Sequence, residues 1–208
     1  MVHLQLFFSE IKVEWVVRLI LASTSKTRQL QLRNMGVDFT AVSPICDEAP
    51  LSGESAADTA LRLAIAKANS LRTRYEDSLI IGADQVACLN NQHLGKPMSV
   101  AAAREMLSAL SGQIVVFYSA LCLLNSTTGT HQTHVDITRV HLRPFSRAQI
   151  EQYLHREPDA IYCAGAAKSE GLGAVLIRQI DSVDPNALLG LPIFKLTEFL
   201  FDQEFPIL

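Results

Sequence analysis

Asp84 and Gln85 stand in the middle of an otherwise apolar run, Leu79–Leu89, LIIGADQVACL. An ionised carboxylate taken into a buried strand is strongly disfavoured unless a cation or hydrogen-bond donors meet it. Asp84 is therefore expected beside a metal ion or a reacting water, with Gly82 and Ala83 leaving room for a close approach to the backbone. A salt-bridged core aspartate is the competing reading.

Other groups fit the same chemistry. The hydroxyls of Ser23 and Ser25, the guanidinium of Arg28 and the free N–H groups of a helix starting at Lys26 would together favour a phosphate. A capped surface turn explains that serine pair equally well. Asp47 and Glu48 are adjacent acids on a loop, and one of them, Glu48 by preference, could complete an oxygen-rich Mg²⁺ site; two solvated surface charges is the plainer account. Lys67 falls inside a helical apolar stripe, where it either snorkels to solvent or reaches a phosphate past the edge of the core. Lys96 is held between Gly95 and Pro97. Glu170 lies in a small-residue loop, Lys168-Ser169-Glu170-Gly171, read either as a charged surface turn or as a base reader. A rigid carboxylate can accept two hydrogen bonds from the N1–H and amino group of guanine, a pair that other bases do not present.

The elements that must position these residues follow from periodicity and punctuation. A buried strand is expected over Val16–Ala22, then a helix Lys26–Met35 capped by Ser25, packed through Leu30, Leu32 and Met35 and ended by Gly36. A second strand, Val37–Ser43, breaks at Pro44. A helix over Glu54–Tyr75 carries the stripe Ala60, Leu61, Ala64, Ala68, Leu71 and Tyr75, with Arg62, Arg72 and Arg74 on the solvent side. Asn90-Asn91 signals a hairpin turn, Ser99 a cap for a helix Val100–Leu110, and Ser146 with Gln149 a capping box for Arg147–Arg156. Ile114–Asn125 and Thr130–Leu142 pair as long strands around a Gly129 turn, so the sheet is expected to be mixed. A last strand is expected over Ala174–Val183, and a helix from Pro192 to Phe201.

The composition excludes several function classes. With 208 residues and 49% hydrophobic residues the chain can bury a sizeable core, and no uncharged stretch is long enough for a membrane helix. Eighteen Lys and Arg against 21 Asp and Glu, a net charge of -3, argue against broad nucleic-acid binding. The four cysteines are scattered without a C-x-x-C pair, which fits a reducing cytoplasm and neither a zinc knuckle nor a disulfide framework. His131 and His134 are spaced so that a strand turns them to opposite faces, which disfavours a shared zinc ion with His141. Residues 1–17 read as an N-terminal extension of unassigned structure.

Four pieces in order, LILASTSKTR, the acidic CDE, IIGADQV followed by GKP, and AGAAKSEG followed by DPNALLGLP, resemble the Maf family of nucleotide pyrophosphatases. ADQV and KSEG resemble its 7-methyl-GTP branch more than its dTTP and UTP branch. The resemblance implies a single domain over residues 18–208, an α/β Maf/ITPase-like fold with two lobes, and a twisted mixed sheet flanked by helices around a central substrate cleft. It implies hydrolysis of a nucleoside triphosphate to monophosphate and pyrophosphate, with a divalent cation (Mg²⁺, Mn²⁺ or Co²⁺), a small-molecule nucleotide as partner, and a homodimer as the candidate assembly. Asp84 would be the general base and, with Glu48, a metal ligand. Ser23, Arg28, Lys67 and Lys96 would surround the triphosphate, and Thr27, Gln85 and Glu170 fall where base preference is set. Lys26-Thr27 replaces the family's usual Pro followed by Arg, Tyr or Trp, so any stacking from that aromatic is missing. The alternative is a nucleotide-binding regulator of septum formation with little turnover.

Overall fold

The computed structural model describes residues 17–49 and 51–208; the expected extension over residues 1–17 therefore lies, but for Val17, outside the described residues, as does Val16 at the start of the first strand. Seven strands form one mixed sheet in the order β2-β1-β3-β5-β6-β7, with β4 also paired to β3. They are β1 Arg18–Ala22, β2 Thr40–Val42, β3 Ser78–Leu89, β4 Gln92–Leu94, β5 Ile114–Asn125, β6 His131–Leu142 and β7 Ile177–Asp181. β1 runs parallel to β2 and β3, and every other pairing is antiparallel. The five α-helices among the described residues are α1 Lys26–Asn34, α2 Ala56–Asn69, α3 Val100–Leu110, α4 Arg147–Arg156 and α5 Ile193–Asp202.

The alternation of side chains along the strands divides the core. On one face Ile20, Ala22, Ile80, Ala120, Cys122 and Leu124 pack against Ala60, Ala64 and Ala68 of α2. On the other, Leu19, Leu21, Leu79, Ile81, Leu121 and Leu123 meet Leu32 of α1 and Leu196, Phe199 and Leu200 of α5. Further along that face Ala87, Phe117, Val140 and Leu142 pack with residues of α3 and α4.

Ser25, Ser99 and Ser146 cap their helices as expected and Ser55 caps α2; each accepts a bond from a first-turn amide, and Gln149 completes the capping box. Asn90 and Asn91 both take positive φ (49° and 64°), the twist a two-residue hairpin needs.

Four expectations are corrected. α2 ends at Asn69, not Tyr75; Ser70 Oγ donates to the Lys67 carbonyl at 2.8 Å, and residues 71, 72 and 74 bond to carbonyls three back, drawing the chain into tight turns. Residues 172–176 form a 3₁₀ turn, so the last strand begins at Ile177; β2 likewise shrinks to three residues, paired among the described residues to β1 alone. Leu30 is exposed, while Gln31 is buried in its stead, its Nε2 donating to the carbonyls of Asn186 and Leu191. No described helix is long and apolar enough to cross a membrane.

Candidate active site

A gap in the sheet makes the site. β1 ends opposite Gly82 and β4, running antiparallel, ends at Leu94 opposite Ala87, so on that edge the strand residues 83–86 have no partner among the described residues. Asp84 and Gln85 point to opposite faces of β3, yet both reach the same cleft because the edge between them is open. The cleft has a volume of about 580 Å³ and lies at the C-terminal end of β1, the usual place for a ligand in a sheet with parallel strands.

All nine residues singled out from the sequence line this cleft: Ser23, Thr27, Arg28, Glu48, Lys67, Asp84, Gln85, Lys96 and Glu170. Asp84 meets α2, whose Lys67 Nζ lies 2.6 Å from Asp84 Oδ1 and 2.9 Å from Glu48 Oε1. The stripe position of Lys67 therefore serves neither snorkelling nor the helix surface; the side chain is buried and ends on two carboxylates. Burial opposes its charge, but the carboxylates of Asp84 and Glu48 outweigh burial and raise the ammonium above its ordinary pKa. What approaches Gly82 closely is α2 itself: a Cβ there would sit 2.1 Å from the Ala64 carbonyl oxygen.

Glu48 Oε1 and Asp84 Oδ1 thus converge on one cation, the Lys67 ammonium, which sets the two carboxylates side by side. A hard divalent ion takes carboxylate oxygens together with substrate phosphate oxygens, so this donor pair fits such an ion. Among the described residues no cluster of three or more His, Cys, Asp and Glu side chains forms; His141 pairs with Asp181 at 2.7 Å.

The opposite wall of the cleft is the start of α1. Ser23 Oγ accepts from Ser25 N (3.1 Å) and Ser25 Oγ from Arg28 N (3.3 Å), so these hydroxyls shape the turn as well as line the cleft. Arg28 Nε donates to the Gly190 carbonyl at 2.8 Å. Burial pulls the Arg28 pKa below its ordinary value, and the negative charges of Asp84 and Glu48 act against that. Lys96 is exposed on the cleft wall and has no side-chain partner among the described residues.

The base-preference candidates divide in two. Thr27 Oγ1 reaches Glu170 Oε1 across the cleft at 3.4 Å. Gln85 faces the other way: its Nε2 donates to Ser119 Oγ (2.8 Å) and to the carbonyls of Ala187 (3.1 Å) and Leu188 (3.0 Å), so only its Oε1 is left for a ligand. Arg62, expected free for solvent, is bound to Glu54 (2.6 Å) and the Ala49 carbonyl (3.1 Å), fixing the loop that carries Glu48. Lys168, the cation of the Glu170 loop, is paired with Glu157.

Sequence reasoning missed the segment beneath Arg28. Asp184 is buried, accepts from Asn186 N and Nδ2 (2.8 Å each) and from Phe194 N (2.7 Å), and so fixes the turn that presents the Gly190 carbonyl. Asp-Pro-Asn is an Asx-turn signal that could have shown it. It also missed Tyr162, an exposed ring on the cleft wall next to Cys163, whose surroundings include Lys96 and Glu170.

The family described as Maf-like protein matches residues 18–203. A 7-methyl-GTP pyrophosphatase of Neisseria gonorrhoeae is 51% identical over 190 residues, covering 91% of this chain and 97% of that protein. The protein of the same name from Chromobacterium violaceum is 50% identical over 192 residues, 92% of this chain and all of its own length. One from Vibrio vulnificus is 44% identical over 191 residues, 92% and 97% of the two chains.

Proposed function

Because this chain belongs to the Maf family, we propose that its cleft hydrolyses a nucleoside triphosphate to the monophosphate and pyrophosphate, with 7-methyl-GTP or a related modified guanine nucleotide as substrate. The observation that carries the reading is the convergence of Arg28, Lys67, Lys96 and the first turn of α1 on one cleft that also holds Asp84 and Glu48. Surface ion pairs do not need such a gathering; a polyphosphate does.

Each residue then has a role. The amides at the start of α1 with Ser23, Arg28 and Lys96 bind the phosphate chain, and Lys67 offsets charge next to the reacting group. Asp84 Oδ1 is held by Lys67, while Oδ2 has no hydrogen-bond partner among the described residues and accepts the proton of the attacking water. That water's oxygen bonds to the α-phosphorus. The bond from the α-phosphorus to the bridging oxygen breaks, and its electron pair leaves with pyrophosphate. A divalent cation held by Glu48, Asp84 and substrate phosphates would supply further charge neutralisation.

Glu170 accepts the N1–H and amino group of the base, aided by Thr27. Tyr162 supplies a face for the ring in place of the aromatic missing at residues 26–27, and a 7-methylated guanine, being cationic, gains from an electron-rich face. The test is pyrophosphate release across canonical and modified triphosphates with Mg²⁺, Mn²⁺ and Co²⁺. The expected result is highest kcat/KM for 7-methyl-GTP; orthophosphate in place of pyrophosphate, or no turnover of any triphosphate, contradicts it.

A further inference from the structure

The loop carrying Glu170 is fastened at both ends by the last turn of α4 and the residue that follows it. Tyr153 Oη donates to the Ala166 carbonyl and accepts from Lys168 N, both at 3.1 Å. Four residues on, Glu157 Oε1 accepts from Lys168 Nζ at 3.0 Å and Oε2 accepts from Leu172 N at 3.2 Å. An i, i+4 pair brings both side chains to one side of the helix end, so Tyr153 and Glu157 act as two posts. Between them Gly171 N closes the loop onto the Lys168 carbonyl at 3.0 Å.

The fit leaves no slack. A Cβ on Gly171 would lie 2.6 Å from Glu157 Oε2, and one on Gly173 would lie 2.5 Å from the Lys168 carbonyl oxygen. The Glu170 carboxylate, by contrast, has among the described residues only two long contacts of its own, with Thr27 Oγ1 and Ser169 Oγ, both 3.4 Å. Its place over the cleft is therefore set by the backbone posts and not by its own bonds. The posts hold their protonation states: the hydrogen bond from Lys168, with that from Leu172 N, keeps the Glu157 carboxyl below its ordinary pKa, and burial pushes the Tyr153 hydroxyl up to about 12.

We propose that Glu157 and Tyr153 are positioning residues for base selection: by clamping Lys168 and Leu172 they hold Glu170 where both of its oxygens meet the Watson–Crick edge of a guanine-type base. The inference rests on the reading of Glu170 as the base acceptor. Two bonds to one planar edge demand both position and rotation of the carboxylate, whereas uracil or thymine offers a single ring N–H. A loosened loop therefore weakens guanine nucleotides most, and the phosphate end of the cleft, built on other elements, keeps its geometry.

The test compares E157Q, Y153F and E170Q with the parent enzyme, measuring kcat and KM for 7-methyl-GTP, GTP and UTP. Circular dichroism melts report folding. E157Q is expected to raise KM for 7-methyl-GTP by about tenfold with kcat within about twofold, leave UTP unchanged, and so shrink selectivity as E170Q does. Y153F should act in the same direction; should it fail to fold, E157Q, at the edge of the helix, decides. Parental selectivity in E157Q while E170Q loses it overturns the clamp and spares the base reading. Parental selectivity in E170Q itself overturns the base reading and the clamp with it. An equal fall in kcat for all three nucleotides in E157Q marks a general structural role and also overturns the proposal.

Discussion

A single methyl group at Gly82 should separate the two halves of the site without altering any polar group. The added Cβ would stand 2.1 Å from the Ala64 carbonyl oxygen, 2.8 Å from Ala68 N and 3.0 Å from Ala68 Cβ. Ordinary contact begins at 3.4 Å, so α2 must retreat from β3 by about 1.3 Å, and its backbone at Ala64 and Ala68 cannot simply rotate away. Lys67 is on the same stretch of helix, and its 2.6 Å bond to Asp84 would open beyond hydrogen-bond reach. Overpacking of this kind costs about 1–3 kcal/mol of stability, and a misplacement of about 1 Å at a reacting centre costs on the order of 100-fold in rate. Gly82→Ala is therefore expected to lose about 2 kcal/mol in urea unfolding and about 100-fold in kcat for pyrophosphate release. A variant as stable as the parent would refute the helix–strand contact. One destabilised as expected but with parental kcat would refute the claim that the Lys67–Asp84 contact serves turnover.

Three further outcomes follow from the same geometry. Glu170→Gln should lower kcat/KM for 7-methyl-GTP by about 2 kcal/mol, since a charge-assisted contact becomes a neutral one, and unchanged ratios across a nucleotide panel would contradict that. Tyr162→Ala should weaken binding of every purine nucleotide by about 1 kcal/mol or more through the lost ring face, read by calorimetry with a non-hydrolysable analogue; unchanged affinity would remove Tyr162 from the site. The hydrogen bond from Arg62, with those from Thr59 and the Leu51 amide, pulls Glu54 from 4.5 to about 2. A carboxyl whose folded pKa lies below its unfolded one stabilises fully above the unfolded value and loses that contribution as pH falls toward the folded one. The melting-temperature gap between the parent and Glu54→Gln should accordingly be largest above pH 4.5 and close as pH approaches 2, and a gap independent of pH would contradict the Arg62 contact.

Much of this architecture is legible in the chain because local rules and the fold agree. Serine caps, the Asn90-Asn91 turn and the apolar strands mark the elements within a residue or two, apart from α2, β2 and the start of β7. Asp84 and Lys67 could each be noticed because a charge on an apolar element needs a partner, though not that they are each other's partner; that depends on Gly82 letting α2 approach. Contacts between distant segments leave no periodic signal. The carbonyl of Gly190 under Arg28 comes from 162 positions away, and Gln31 is buried only because α1 packs on the turn held by Asp184. Gln85 looked like a ligand-facing polar group for the same reason as Asp84, yet most of its hydrogen bonding goes to the Ala187–Leu188 turn, which alternation along a strand cannot distinguish.

The central claim is that Asp84 is the base in a cleft whose cations bind the phosphates. Asp84→Asn, assayed for pyrophosphate release at saturating nucleotide and for affinity by calorimetry, tests it most directly. The expected result is a kcat lower by about 10³-fold with nucleotide affinity equal to or tighter than the parent's, because Lys67 loses one of its two carboxylate partners. A variant that releases pyrophosphate at the parental rate would contradict it.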